Sequence, residues 1–304
     1  MGFLKKVVVQ VIPSLLILTL IIFFLVYVAG DPVSVMLPEN ATAADREVLR
    51  EALGLNEPFF VQYLHFLSDL LRGDFGMSLQ YQQPAIDLVF SRLWATLALS
   101  IVAMIIAIVI SIPLGIYAAI KRNTFVDVLI SGLSIIGKAM PNFWIGIMLI
   151  LFLAVAIPIF PVSGAATPLH FVLPAFTLGI ALAAEMTRLT RASILEVIDQ
   201  EYVQTARSKG QKESIVIFKH VFLNALIPVI TIIGLQFPQL IGGAIVVETV
   251  FSWPGVGRLL LSSMGASDMA VIQAIVFVIA LITIVVNLLT DLLYRVLDPR
   301  IKYN

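Results

Sequence analysis

The sequence predicts an all-α polytopic membrane protein with six transmembrane helices. Of its 304 residues, 60% are hydrophobic and only 12% are charged, whereas soluble globular domains have about 25% charged residues. Polar segments separate long apolar blocks, each long enough to cross a hydrocarbon core of about 30 Å. Such blocks cross the bilayer as helices, because helices pair all their backbone polar groups internally.

Charge and residue types exclude several functional classes. The formal net charge is zero, so no basic excess indicates a nucleic-acid partner. The absence of cysteine removes disulfides, thiolate metal sites and cysteine nucleophiles. His65, His170 and His220 lie far apart without a His or Glu at ligand spacing, so no metal site is predicted. Intramembrane protease motifs are also missing from the apolar blocks, so no catalytic residue is predicted.

The first segment, residues 1–30, is predicted to be a short tail and the first span. Lys5 and Lys6 precede an uncharged run from Val7 to Gly30. A cleaved signal peptide is the alternative, but its apolar part usually has about 7–15 residues. The run is longer and lacks a clear cleavage site, which favours a retained helix.

Residues 31–92 form the long polar segment and are predicted to be a small extracytoplasmic cap of helices. Thr42 and Asp45 have the spacing of a helix start. A second amphipathic pattern runs from Pro58 to Gly73, with proline at its start and glycine at its end.

The remaining residues, 93–304, are predicted to form a core of five spans. The turn after the second span carries Lys121 and Arg122, and the fourth span is expected to end at Arg188 and Arg191. The predicted spans cover approximately residues 93–120, 128–159, 173–191, 225–247 and 271–293.

Basic residues set the predicted orientation, since they are enriched in cytoplasmic loops. A cytoplasmic N-terminus places thirteen basic residues inside, including Arg300 and Lys302. Five remain outside, namely Arg46, Arg50, Arg72, Arg92 and Arg258. Both termini are therefore predicted to be cytoplasmic.

A polar and basic island from Glu201 to Pro228 lies between two apolar blocks. It cannot lie in lipid and is predicted to project from the membrane. Glu201 to Lys209 can form a short helix that Gly210 ends. On the cytoplasmic side, such a helix presents a docking surface.

Residues 132–139 have the glycine and lysine spacing of a phosphate-binding loop. Ala139 replaces the hydroxyl residue that would hold magnesium, and no strand precedes the loop. The chain is therefore predicted to have no nucleotide site, and ATP-driven work would require a separate subunit.

The island resembles the Glu-Ala-Ala-x-x-x-Gly loop of the membrane subunits of ATP-binding cassette (ABC) importers. Gln204, Thr205, Ala206 and Gly210 match it, although Gln replaces the first Glu. The distant Leu-Ile-Pro at 226–228 is similar to the dipeptide, oligopeptide and nickel importer permeases. Four further stretches extend the resemblance over nearly the whole chain: GDFGMSL at 73–79, EMTRLTRASILEVI at 185–198, VFSWPGVGRLL at 250–260 and DLLYRVLDPRI at 291–301.

This resemblance implies a type I importer permease in a bacterial or archaeal cell membrane, moving di- or oligopeptides by alternating access. Its implied partners are a second, similar permease, two ATPase subunits that hold ATP and magnesium, and an extracytoplasmic substrate-binding protein. The ATPase would dock on a loop at about 192–224, through Glu201, Gln204, Thr205, Ala206 and Gly210. A nickel or metal-chelate importer is the alternative within the family. Two alternatives from different functional classes remain open: a secondary transporter or channel, and a receptor or structural protein.

Lys138 is an ionisable residue inside the third predicted span. In a straight helix it would lie roughly 10 Å deep, where an unpaired ammonium costs a few kcal/mol. Glu185 has a similar depth in the antiparallel fourth span, so the two are predicted to form an ion pair facing the bundle interior. Two alternatives remain: the residues line the pathway, or Lys138 alone reaches the interface.

Other polar residues within the spans are candidates for the translocation pathway, and each could equally pair with a neighbouring helix. They are Asn142, Gln236, Gln239 and Asn287. Glu248 is expected to be interfacial at the outer end of the fifth span, where it could meet a substrate amine.

Overall fold

The computed structural model describes residues 7–29, 33, 37, 41–52 and 54–297. The predicted basic residues Lys5, Lys6, Arg300 and Lys302 lie outside these residues, as does the end of the 291–301 motif. Regular structure in the described part is helical, apart from an isolated bridge between Met77 and Pro84.

The chain forms two compact units. Leu259–Ile284 belongs to the first unit with the described residues up to Leu93, and Trp94–Arg258 belongs to the second with residues 285–297. A π-helical turn, Val7–Val11, leads into the first α-helix. The first unit includes α1 (Ile12–Ala29), α2 (Ala43–Ala52), α3 (Phe59–Arg72), the start of α4 (Ala85–Ile120), the end of α10 (Val256–Gly265) and the first part of α11 (Met269–Leu297).

The second unit contains the rest of α4, the start of α10, the last part of α11 and all of the helices between α4 and α10. A π-helical stretch, Leu151–Ala156, continues α6, and Glu213–Ile215 with the π-helix Val216–Phe222 leads into α9. The helices that lie wholly in this unit are α5 (Phe125–Ala139), α6 (Asn142–Ile150), α7 (Leu169–Ile198), α8 (Glu201–Ser208) and α9 (Leu223–Val250).

The helix boundaries predicted for the polar segment are confirmed. The Thr42 backbone N–H donates to Asp45 Oδ2 at 3.0 Å, and the Asp45 N–H donates to Thr42 Oγ1 at 3.2 Å. These reciprocal bonds satisfy two free donors at the start of α2. Helix α3 follows Pro58 and ends at Gly73, whose φ of 76° is left-handed. Glycine adopts this conformation without a steric penalty.

Four helices of the described residues are long and apolar enough to cross a membrane. They are Ala85–Ile120, Leu169–Ile198, Pro228–Val250 and Met269–Leu292. A fifth span exists if the pair α5 and α6 counts as one, and Ile12–Phe24 is a shorter apolar helix. The helical membrane architecture is as predicted, and the count of six spans stays a prediction.

The third predicted span is sharply bent. Helix α5 ends at Ala139, and α6 leaves the break at an angle of 101°. Pro141 explains the break, because a proline disfavours the helical conformation of the preceding residue, and Met140 is extended with φ −77° and ψ 133°. The depth of 10 Å expected for Lys138 assumed a straight helix and therefore does not apply.

Two other helix boundaries differ from the prediction. Helix α4 begins at Ala85, and α7 runs from Leu169 to Ile198, so Arg188 and Arg191 lie within it. The prediction placed the helix ends at the limits of the uncharged apolar runs. Both helices continue past these limits into segments that contain charged and polar residues.

In the second unit, the backbones of helices α4 and α7 approach each other closely at two glycines. A Cβ on Gly179 would lie 2.7 Å from the Ala103 carbonyl oxygen. Farther along, a Cβ on Gly115 would lie 2.8 Å from the Thr187 carbonyl oxygen. Each helix thus contributes one glycine to a close contact, the arrangement by which small residues let membrane helices pack tightly.

Candidate functional site

The predicted short helix of the polar island is present as α8. Gln200 is extended immediately before it, with φ −67° and ψ 148°. After Ser208 the chain turns at Gly210, whose φ is 74° and whose N–H donates to the Arg207 carbonyl at 2.9 Å. The prediction that a glycine ends this helix is confirmed.

One face of α8 is buried in an apolar cluster that we call the basal cluster. Val203 is fully buried and Ala206 is 5% exposed. They pack with residues from the ends of α4 and α7, from the π-helix Val216–Phe222 and from the start of α9. The other buried members are Ile116, Ala119, Ile194, Ile198, Val216, Ile217, Val221 and Ala225. This packing connects α8 to three long helices, and well-packed interiors transmit strain.

The opposite face of α8 is exposed. Of the predicted docking residues, Glu201, Gln204, Thr205 and Gly210 are exposed, whereas Ala206 points into the basal cluster. Tyr202 is also on the exposed face, at 46%. The match to the family motif therefore combines residues that can contact a partner with one that holds the helix in place.

A charged pair fixes the turn after α8. Arg207 donates to both carboxylate oxygens of Glu213, at 2.8 and 3.3 Å. This hydrogen bonding raises the pKa of Arg207 above its ordinary value. The turn around Gly210 is therefore bridged from α8 to the start of the next helical stretch.

Two ion pairs connect the turn between α4 and α5 to α7. Arg122 Nη1 lies 2.6 Å from Asp199 Oδ2. Arg191 donates to the buried carboxylate of Asp127 at 2.6 and 2.8 Å, and the Asn123 N–H donates to it at 3.0 Å. Sequence reasoning missed both pairs, whose partners are 64 and 77 residues apart in the chain.

Lys138 and Glu185 are brought into contact, with Lys138 Nζ 2.5 Å from Glu185 Oε2. Their side chains are 50% and 31% exposed. The pair lies next to the break between α5 and α6. Beside it, Gly137, Met140 and Ala184 help to line an apolar cavity of about 450 Å³.

The other predicted pathway residues have different surroundings. Asn142 is the first residue of α6 and is half-buried. Gln236 is half-buried on α9, and Gln239, on the same helix, is exposed. Of these five predicted pathway residues, Lys138 and Glu185 are in direct contact with each other. That all five line one translocation pathway stays a prediction.

Glu248 is fully buried in the second unit, so the expectation of an interfacial side chain was wrong. Thr96 Oγ1 donates to Oε1 of the carboxylate at 2.5 Å, and the Arg258 N–H donates to Oε2 at 3.0 Å. Thr96 Oγ1 in turn accepts the Val256 N–H at 2.8 Å. These donors replace water around the buried carboxylate, since an unpaired buried charge is costly.

The Trp-Pro-Gly-Val-Gly stretch explains how the carboxylate of Glu248 is enclosed. A Cβ on Gly255 would lie 2.1 Å from Glu248 Oε1, and one on Gly257 would lie 2.5 Å from Ile245 Cα. Trp253 Nε1 donates to the Ala95 carbonyl at 3.0 Å. Two glycines directly after a Trp-Pro pair were a sequence signal that could have indicated a close backbone approach at this site.

In the first unit, the GDFGMSL motif forms a second buried contact. Ser78 Oγ donates to Asp268 Oδ2 at 2.5 Å, and the Gln80 N–H donates to the same oxygen at 3.2 Å. Phe75 packs on Phe277 with their ring centroids 5.5 Å apart. This motif therefore holds the start of α11.

Known proteins match the chain along its length. Residues 111–303 match the family described as binding-protein-dependent transport system inner membrane component, and residues 1–100 match the N-terminal family of the same membrane components. The chain belongs to this family. It is therefore a permease subunit of an ABC importer, a multi-pass membrane protein of a system that works with an ATPase and a substrate-binding protein.

Individual relatives cover almost the whole chain. The oligopeptide transport system permease protein AppB of Bacillus subtilis is 43% identical, with 96% of each chain covered. The glutathione transport system permease protein GsiC of Escherichia coli K12 is 40% identical over 100% of this chain and 99% of its own. A chain of the methionine ABC transporter MetNI shares the fold, with a TM-score of 0.60 and 18% identity over 69% of this chain and 96% of that chain.

Proposed function

We propose that this permease imports di- or oligopeptides by alternating access. The observation that carries this proposal is the full-length similarity to two permeases whose names specify peptides, oligopeptides for AppB and glutathione for GsiC. A nickel or metal-chelate importer of the same family is the second candidate, and the names of these two relatives do not specify such a substrate.

The exposed face of α8 is the proposed docking surface for an ATPase subunit. Glu201, Gln204 and Thr205 would contact the partner, with Tyr202 as an additional contact residue. Gly210 would shape the turn, and Ala206 would hold α8 on the basal cluster. In this proposal α8 and both termini face the cytoplasm, where ATP is available.

Nucleotide and magnesium would bind to two ATPase subunits, and this chain would pair with a second, similar permease. Closing of the ATPases around ATP moves α8, and the basal cluster passes this displacement to α4, α7 and α9. Nucleotide can drive the cycle only because it binds the two states with different affinities. Substrate delivered by the binding protein would pass Lys138, Asn142, Glu185, Gln236 and Gln239.

Reconstitution tests the proposed substrate. The permease, its partner subunits and the binding protein are placed in liposomes, and uptake of radiolabelled peptides and of nickel is measured with and without internal ATP. ATP-dependent peptide uptake is expected. Nickel uptake without peptide uptake would favour the second candidate, and transport by the isolated chain without ATP would indicate a secondary transporter or channel.

Substitutions on α8 test the docking surface. Thr205→Arg is expected to abolish co-purification of the ATPase while leaving the folded permease intact. Gln80→Arg, on an exposed glutamine of the first unit, is the matched control and should retain the ATPase. Gly210→Ala should weaken attachment, because a left-handed alanine costs about 1–2 kcal/mol. Full attachment in both the Thr205 and Gly210 variants would refute this surface.

A further inference from the structure

Helix α3 has three distinct faces. Phe59, Tyr63 and Phe66 lie on one side of it and pack against α1. A polar face carries His65, Asp69 and Arg72, which are exposed. The third face is apolar and follows helical spacing, as expected for residues that share one side of a helix. We call this face the α3 stripe; it consists of Phe60, Leu64, Leu67 and Leu71.

The contact with α1 lies near the middle of that helix. Tyr63 OH is 2.9 Å from Thr19 Oγ1 and donates to the Leu16 carbonyl at 3.4 Å. The ring of Phe23 lies 5.2 Å from that of Phe59 and 5.6 Å from that of Phe66, between centroids. Thr19 is at least about 10 Å along the axis from either end of α1.

This contact relates the position of α3 in the membrane to that of α1. Helix α1 belongs to an uncharged apolar run of a multi-pass membrane protein, and its middle lies in hydrocarbon if it crosses the bilayer. A hydroxyl at that depth needs a partner, and the Tyr63 hydroxyl is paired with Thr19. If α1 crosses the bilayer, the predicted extracytoplasmic cap includes a helix beside lipid-embedded residues of α1.

The α3 stripe is apolar and uncovered. Phe60 is 76% exposed, Leu64 59% and Leu71 85%. The neighbouring α1 also exposes apolar side chains, with Leu16 at 51% and Phe24 at 54%. Because α1 and α3 are in contact, their exposed apolar residues belong to adjoining surfaces of the first unit.

We propose that α3 is a membrane-embedded amphipathic helix whose stripe of Phe60, Leu64, Leu67 and Leu71 contacts lipid acyl chains. Its polar face, with His65, Asp69 and Arg72, is directed toward the headgroups and water. A helix with one apolar and one charged face lies in this way at the bilayer boundary. Lipid is the proposed occupant because the stripe contains no charged residue and adjoins the exposed apolar surface of α1, which is predicted to be the first span.

Site-directed spin labelling tests this proposal, because this chain has no native cysteine and, with cysteine-free partner subunits, each introduced cysteine is unique. Single variants Phe60→Cys, Leu64→Cys and Leu71→Cys carry a nitroxide in the complete importer complex, in phosphatidylcholine nanodiscs. His65→Cys and Asp69→Cys on the same helix are the matched controls. Collision rates with oxygen and with a water-soluble nickel chelate are measured at each site.

A several-fold higher ratio of oxygen to nickel collisions is expected at the stripe than at the control positions. Equal nickel access at both sets of sites would overturn the proposal, because the stripe would then face water. Low collision rates with both reagents at the stripe would also overturn it and indicate a protein partner. Doxyl-lipid quenching of a fluorophore on Leu71→Cys, at the helix end, provides a second measurement. Neither readout requires transport, so the result is independent of the proposed substrate.

Discussion

Arg191 donates two hydrogen bonds to the carboxylate of Asp127, from Nε to Oδ1 at 2.6 Å and from Nη2 to Oδ2 at 2.8 Å. The planar guanidinium matches both carboxylate oxygens, and this geometry makes the pair strong and directional. The Asp127 side chain is 6% exposed. The start of α5 is thereby fixed to α7, the helix that leads into α8.

Arg191→Gln is expected to destabilise the permease by about 3 kcal/mol, because it leaves a buried carboxylate without its partner. The measurement is the unfolding free energy of the permease in detergent. Asp127→Asn should also destabilise, and the double variant should lose less than the sum of the two. The exposed pair Arg122 and Asp199 is the matched control, and Arg122→Gln should cost at most about 1 kcal/mol. Additive effects at Asp127 and Arg191 would show that the pair is not coupled.

Charge reversal tests whether Lys138 and Glu185 act as a pair. Lys138→Glu and Glu185→Lys each place two like charges in contact, so each is expected to reduce recovery of the assembled complex. The double reversal restores opposite charges and should recover it. A double reversal no better than the single variants would contradict the pairing.

Gly255→Ala is expected to be strongly destabilising, since its Cβ would lie 2.1 Å from Glu248 Oε1. Overpacking of this kind costs about 1–3 kcal/mol. Gly265→Ala is the control, because a Cβ there would have no atom within 4 Å. Thermal unfolding of both variants gives the comparison. Adding Glu248→Ala should relieve part of the penalty at Gly255, and strictly additive losses would argue against the predicted clash.

Acidification should loosen the start of α2. The hydrogen bond from the Thr42 side chain, together with that from the Thr42 N–H, holds the pKa of Asp45 below its ordinary value. Because the folded pKa is lowered, the stabilisation is present above the unfolded pKa of about 4 and is lost as the pH falls through the folded pKa. Hydrogen exchange of α2 amides, corrected for the intrinsic rate, should show this loss. Thr42→Val should show low protection and little pH dependence.

The sequence predicted the features that depend on local physics. Thr42 with Asp45, Gly73 and Gly210 mark helix ends through hydrogen bonds and backbone conformations that involve only neighbouring residues. Apolar runs likewise predicted where most of the long helices lie. The break at Pro141 had a sequence signal, but its angle of 101° depends on packing that a single segment does not specify.

The missed features of the candidate site depend on contacts between distant segments. Arg191 was interpreted as a marker of orientation, although it pairs with Asp127. Glu248 was placed at the interface because it lies near a span end, whereas Thr96 and the backbone of the following loop enclose it. The Lys138 and Glu185 contact was predicted because antiparallel neighbouring helices bring equal depths together. The same rule applies to Asp127 and Arg191, which lie on the same two helices, whereas Thr96 and Glu248 lie on α4 and α9, which are not consecutive in the chain.

The glycine contacts between α4 and α7 limit how this permease can be recombined with its relatives. Gly115 approaches the backbone of α7, and Gly179 approaches the backbone of α4, so each helix has a surface shaped by the other. A chimaera that receives only one of them from a homologue would combine surfaces that were not selected together. Exchange of both helices as a matched set should preserve the interface, which makes the pair the natural unit for grafting.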